Sequence, residues 1–330
     1  MLPQVLMPIP TESALPAPGI PWAGSSYEPR RFSFDSLGMV CEPAATSSKE
    51  DGAHEVLRAL LLDGLVLVTG LPRADEVAAA WNLTRALFDP ASSTNVSFYE
   101  SRGVTHDAHY NTFTGVSDLA EGFTASYGLG ELPLHTDGAY LATPPRVKVL
   151  APTAIEGEIP WNTFADGWQA LGTALNASEL STLAHVPLTQ RFTNSPAEAT
   201  MEFRRAALGR DGDGRPHVAW NAYSPDSEVP AEGSALGAAR ARLEQFLGRP
   251  GAALRVRLPV GTVAIMDNWR VLHGREAMVG TRRVLSSVDL SDDALHKRWG
   301  ELNVGVAEVH DPQVEAHLDS PSERDLYDVV

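Results

Sequence analysis

The stretch Leu132-Pro133-Leu134-His135-Thr136-Asp137-Gly138-Ala139-Tyr140 decides how the chain is read. His135 and Asp137 stand two apart, and side chains two apart on an extended strand point to the same face. An imidazole nitrogen and a carboxylate oxygen can therefore reach one metal ion from a single strand end. The missing ligand is expected far downstream, at His273 in Asp267-Asn268-Trp269-Arg270-Val271-Leu272-His273-Gly274-Arg275. Two histidines and one carboxylate on one side of a metal leave the other side open, the arrangement of non-heme iron(II) oxygenases. The spacing alone is a weak signal: His317-Leu318-Asp319 repeats it in a polar tail. Context separates the two. Leu132, Leu134 and Pro144-Pro145 bracket the first pair with the marks of a core strand's end, and His273 follows a strand and the turn at Asp267-Asn268.

Outward from this centre, short strands and turns dominate. Glu55 to Leu62 has apolar residues at helical spacing and leads through Asp63-Gly64 into a buried strand, Leu65 to Gly70. Asp75 to Leu87 reads as a second amphipathic helix. A strand is expected from Arg146 to Leu150. Asn162 to Gly167 reads as the approach to a helix over Trp168 to Asn176, with another over Ser178 to Ala184. Asp211-Gly212-Asp213-Gly214 marks a hairpin, and Ala238 to Leu247 a further helix. Strands follow at Arg255–Leu258, Val263–Met266 and Val284–Leu290. Many short strands without an alternating strand–helix rhythm imply a mainly β fold with flanking helices, a cupin-like jelly roll. Three regions are expected: a flexible N-terminal arm over 1–30, rich in Pro, Gly and Ser, one oxygenase domain over 31–300, and an acidic C-terminal extension over 301–330.

Bulk properties narrow the partners. The net charge of -16 argues against a nucleic-acid partner, which wants a basic face. No apolar run reaches the length of a membrane span, and the first residues do not resemble a secretory signal. One cysteine, Cys41, permits neither an internal disulfide nor a cysteine-based zinc cluster. A cytoplasmic protein acting on a small molecule is expected, with a homo-oligomer left open.

Iron chemistry of this kind needs a keto-acid co-substrate that chelates the metal through its 2-oxo acid end. The far carboxylate then needs a cation, best an arginine, which is planar and bidentate. Arg282 and Arg283 stand nine and ten residues past His273, after a turn at Val279-Gly280-Thr281. Strand alternation turns one toward the pocket and the other away. Thr163 is a candidate hydroxyl donor to the same carboxylate. Two other readings of the ligand set are a zinc hydrolase and a non-enzymatic cupin-like metal-binding module.

Asp267 to Glu276 closely resembles the corresponding stretch of trimethyllysine hydroxylases, which belong with γ-butyrobetaine hydroxylases and taurine dioxygenase to a family of Fe(II)/2-oxoglutarate oxygenases. Leu134-His135-Thr136-Asp137 is similar to the family's first ligand motif. Glu156-Gly157, Thr163 and Asp166-Gly167 resemble its co-substrate segment, and Trp220-Asn221 the strand whose Asn lines the pocket. The likeness covers residues 50–293. It implies a double-stranded β-helix, iron at His135, Asp137 and His273, and 2-oxoglutarate at Thr163 and at Arg282 or Arg283. A gapless match to the trimethyllysine enzymes selects Arg282; the Arg-Arg dipeptide of taurine dioxygenase selects Arg283. Arg282 is preferred, because the gapless match continues to Asp292-Asp293. O2 is the remaining reactant. Where the family has Gly-Gly, this chain has Pro160-Trp161-Asn162, which is expected to set an indole beside the pocket. Tyr140, Trp161, Asn221 and Tyr223 are the candidate substrate residues, with Trp168 and Trp220 as further aromatics for a quaternary cation. The favoured substrate is a small amino acid or related carboxylate. Hydroxylation is the default outcome, with desaturation or cyclisation open.

Overall fold

The structure, a computed structural model, describes residues 21–37, 46–72, 76–88, 111–114, 130–194, 199–210, 216–221, 227–277 and 279–302. In chain order these form β1 (Arg30–Ser33), α1 (Thr46–Asp63), β2 (Leu65–Thr69), α2 (Glu76–Phe88), β3 (Asn111–Thr114), β4 (Leu132–His135), β5 (Val147–Gly157) and β6 (Trp161–Asp166). There follow α3 (Gly167–Ala174), α4 (Ala177–His185), β7 (Leu188–Asn194), β8 (Ala199–Arg205), β9 (Leu208–Arg210), β10 (Pro216–Val218), α5 (Ala235–Leu247), β11 (Leu254–Arg257), β12 (Thr262–Asp267), β13 (Val271–Arg275), β14 (Gly280–Leu290) and α6 (Asp292–Glu301).

Six strands make one sheet in the order β1-β2-β12-β5-β14-β3, and four make a second in the order β11-β6-β13-β4. Their pairings are antiparallel except β1 with β2, which is parallel. Alternation gives each sheet two apolar faces. Leu65, Leu67, Leu150, Ala264 and Met266 of the first sheet share one buried cluster with Phe164, Leu254, Val256 and Val271 of the second. That cluster is the inside of a jelly roll. The other face of the first sheet, with Val66, Val68, Val149 and Ile265, packs on α1, α2 and α6. The other face of the second, with Ala165 and Leu272, packs on α3, α4 and α5.

Local chemistry sets the joints. Gly64 ends α1 at φ 73 and returns its N–H to Leu60, the left-handed stop that lets β2 begin at once. Asp166 closes β6 and caps α3 by accepting from the Trp168 N–H at 3.0 Å. The same carboxylate takes Arg270 at 2.6 Å, with both side chains buried. This pair ties the end of β6 to the start of β13.

Two expectations need correction. Asn162 to Asp166 is not merely a lead-in to a helix but a full strand at the centre of the second sheet. The expected arm, 1–30, is packed from Trp22 onward. Trp22 is 5% exposed, donates from Nε1 to the Asp63 carbonyl at 2.7 Å, and stacks on Tyr27 at 4.4 Å. Residues 1–20 of that arm and 303–330 of the C-terminal extension lie outside the described residues, as does the Asp211 to Gly214 turn. Its flanking strands β9 and β10 pair as a hairpin requires. Among the described residues no helix is long and apolar enough to cross a membrane.

Candidate metal centre

β4 and β13 lie side by side with His135 opposite His273. The two rings come to 4.4 Å between centroids. Asp137, two residues past the end of β4, turns its carboxylate toward both. His135 Nε2 lies 3.3 Å from Oδ1, and His273 Nε2 lies 3.5 Å from Oδ2. One ligand atom from each of the three falls within 4.8 Å of the others. Residues 138 positions apart in sequence thus converge because two strands pair.

The donor set fits a divalent transition metal. His135 Nδ1 lies 2.9 Å from the Pro133 carbonyl, a hydrogen bond when Nδ1 carries the proton, which leaves Nε2 its lone pair. Burial, and then the neighbouring His135, push the His273 imidazole down to about 4. Both effects favour the neutral ring that a metal binds. Burial alone would raise the Asp137 carboxyl, but the Lys148 ammonium, first of the opposing charges, holds it well below the usual carboxylate range. Two neutral nitrogens and one anionic oxygen, with no sulfur, suit iron or a similar ion.

The supports of this trio are also in place. Asn268 clamps the Asp137 backbone, accepting its N–H at 2.8 Å and donating to its carbonyl at 3.0 Å and to the Pro145 carbonyl at 2.9 Å. Lys148 on β5 reaches Asp137 Oδ2 at 2.7 Å and Asp289 at 3.0 Å. Sequence reading missed both. A lone lysine inside the apolar run Val147-Lys148-Val149-Leu150 was the available signal, since a charge in a core strand needs a partner.

The co-substrate residues are distributed differently from expectation. In the pairing of β6 with β13, Phe164 faces His273, Thr163 faces Gly274, and Asn162 faces Arg275. Phe164 belongs to the interior cluster, whereas Ala165 belongs to the helix-side cluster. Thr163 therefore shares the helix side with Ala165, away from His273, and Asn162 shares the interior with Phe164. A Cβ on Gly274 would meet Thr163 Oγ1 at 2.9 Å, which places that hydroxyl over the glycine on the same side. Trp161 follows the same alternation and packs against the exposed Arg255 and Arg257 at 4.6 and 4.7 Å. It is not beside the metal ligands. Arg282 and Arg283 are placed by backbone register alone, paired with Glu156 and Ile155 of β5.

Among the substrate candidates, Tyr140 lies three residues past Asp137 and stacks on Phe192 at 4.8 Å. Asn221 is buried, and its neighbour Trp220 accepts the Thr136 N–H at 2.7 Å, so this segment runs beside the ligand loop. Tyr223 lies outside the described residues. Trp168 and Trp220 are core residues, each under an arginine at 4.5 and 5.3 Å.

Trimethyllysine dioxygenase of Rattus norvegicus is 29% identical over 291 residues, covering 84% of this chain and 63% of that protein. The human enzyme is 29% identical over 191 residues, 54% of this chain and 45% of that protein. The chain thus spans less than two-thirds of the length of these relatives. Among solved structures, asparagine oxygenase in complex with Fe(II), 3-hydroxyasparagine and succinate superposes with a TM-score of 0.54 at 17% identity, over 79% of this chain and 93% of that one. The non-heme iron oxygenase OrfP with Fe and alpha-ketoglutaric acid gives 0.55 at 15%, over 75% and 81%. These structures share the jelly-roll fold. The family model of the taurine catabolism dioxygenases TauD/TfdA matches residues 40–288, most of the chain, and the chain belongs to that family.

Proposed function

We propose that the chain is an Fe(II)- and 2-oxoglutarate-dependent dioxygenase that oxidises an unactivated C–H bond of a small amino-acid-like or carboxylate substrate. The convergence of His135, Asp137 and His273 at the mouth of a jelly roll carries this reading. The amino acids in the names of relatives and neighbours, trimethyllysine, asparagine and a bound dihydroxy-arginine, support the amino-acid class. A cytoplasmic site of action is consistent with a single cysteine.

Bound iron with 2-oxoglutarate would supply oxygen activation, decarboxylation of the keto acid to succinate and carbon dioxide, and removal of a substrate hydrogen. The chain's own part is positional. His135, Asp137 and His273 would hold the metal from one side, and Asn268 keeps the Asp137 backbone from swinging. Asn162, on the interior face of β6 two residues from Phe164, the partner of His273, takes the polar role expected of Thr163 toward the far carboxylate. An arginine of β14 supplies the charge. Tyr140 and Asn221, close to the ligand loop, border the substrate side.

Protein loaded anaerobically with Fe(II) and 2-oxoglutarate should show a weak visible charge-transfer band, then release succinate on exposure to oxygen. Bound metal with neither band nor succinate would remove the oxygenase reading in favour of hydrolase or storage chemistry. A trimethyllysine- or butyrobetaine-type hydroxylase is the second reading, favoured by the 29% identity to trimethyllysine dioxygenases. Succinate release across amino acids and betaines separates the two.

A further inference from the structure

We infer that Lys148 is a positioning residue that claims one oxygen of Asp137, so that this carboxylate gives a metal only its other oxygen and the sites needed by a chelating co-substrate stay open. The purpose assigned to it rests on the oxygenase reading; the contact does not.

A carboxylate can bind a cation through one oxygen or through both. If both oxygens of Asp137 bound, a fourth position would be filled by protein. Lys148 stands in the way. Its ammonium lies 2.7 Å from Oδ2, the oxygen 3.5 Å from His273, while Oδ1, 3.3 Å from His135, is left free for a metal. The side chain is largely buried: Lys148 is 8% exposed. On the far side Asp289, its register partner on β14, holds it at 3.0 Å. The second carboxylate matters electrostatically. An ammonium beside a divalent ion is repulsive, and Asp289 supplies the charge that offsets it. The arrangement gives up some metal affinity and keeps the carboxylate from wrapping the ion.

Mn(II) in place of iron tests this without co-substrate or turnover. Six-coordinate Mn(II) on three protein ligands keeps about three exchangeable waters, which water-proton relaxation reports. Lys148→Met removes the ammonium and keeps an unbranched stem. It is expected to bind Mn(II) at least as tightly as wild type, with relaxivity per bound ion lower by about one third as a water is replaced by the freed oxygen. Its anaerobic band should need at least ~10-fold more 2-oxoglutarate, the scale of outer-shell effects. Lys148→Arg should restore much of both. Unchanged relaxivity with weaker Mn(II) binding would overturn the proposal and leave Lys148 as charge compensation alone. If Lys148→Met does not fold, Lys148→Gln, shorter and uncharged, takes its place in the same measurements, with the same outcomes for and against. A relaxivity drop in the variant together with no band in wild type would retain the positioning role and reject the oxygenase.

Discussion

At His273 the absence of a single methyl group decides whether the third ligand can sit where it does. A Cβ on Gly274 would fall 2.5 Å from the Leu132 carbonyl and 2.9 Å from Thr163 Oγ1. The first is backbone of the strand that carries His135, so it cannot step aside without moving a ligand. Gly274→Ala should therefore cost about 1–3 kcal/mol, as overpacked sites do, and weaken metal binding along with the melting temperature. A variant that melts lower but binds metal normally would show that the glycine serves the sheet and not the centre. The neighbouring strand offers a sharper contrast. Asn162→Ala should raise the 2-oxoglutarate half-saturation by ~10-fold or more with metal affinity unchanged, and Thr163→Ala should change it little. Equal effects would place the co-substrate elsewhere. His135→Ala, by contrast, should lose the metal itself, read by dialysis and metal analysis. The ligand trio was legible in sequence because a strand's period of two and a Gly-terminated motif are local patterns. Lys148, Asn268 and the choice between Asn162 and Thr163 were not, because each depends on which strand lies alongside.

Elements show the same division. The helix at 55–62 and the strand at 65–70 were legible because their apolar residues keep one period and a glycine separates them. β6 was not, since its interior positions hold Asn162, Phe164 and Asp166, two of them polar, so the alternation that marks a strand is hidden. The polar members are Asn162, on the interior face with Phe164, and Asp166, which binds Arg270. Register also bears on the arginine left open between two positions. β14 pairs Asp289 with Lys148 and runs unbroken back through Ser287 and Leu285 to Arg283, while the extra residue falls on β5 between Pro152 and Ala154. By even spacing alone, Arg283 is expected on the face of Asp289, whose carboxylate meets Lys148 at 3.0 Å. We therefore expect Arg283→Ala to need far more 2-oxoglutarate while holding metal normally, with Arg282→Ala close to wild type. The reverse result would restore the gapless match to the trimethyllysine enzymes.

At the scale of the whole molecule, the loop that clamps Asp137 is braced by parts of the chain far from it. Trp269, next to Asn268, stacks on His217 at 4.2 Å and lies under Arg146 at 4.7 Å. Arg146 in turn binds Asp267 at 2.9 Å and Asp292 of α6 at 3.3 Å. His217 Nε2 is buried, with no hydrogen-bond partner among the described residues. Burial, then the charges of Arg205 and Arg146, push this imidazole down to about 3, with Asp292 opposing. The unfolded chain takes up a proton at this residue near pH 6.5, while the folded chain refuses it until about 3. Stability from this group is thus fully present above pH 6.5 and lost as pH falls toward 3. Between pH 6.5 and 5 the loss is on the order of 2 kcal/mol, before most carboxylates titrate. Urea unfolding of the metal-free protein at pH 7 and pH 5 should show it, and His217→Phe, which keeps the stack on Trp269 and has nothing to protonate, should lose distinctly less. If wild type and variant fall in parallel, the acid sensitivity arises elsewhere, and the brace between β10, the ligand loop and α6 does not depend on His217 staying neutral.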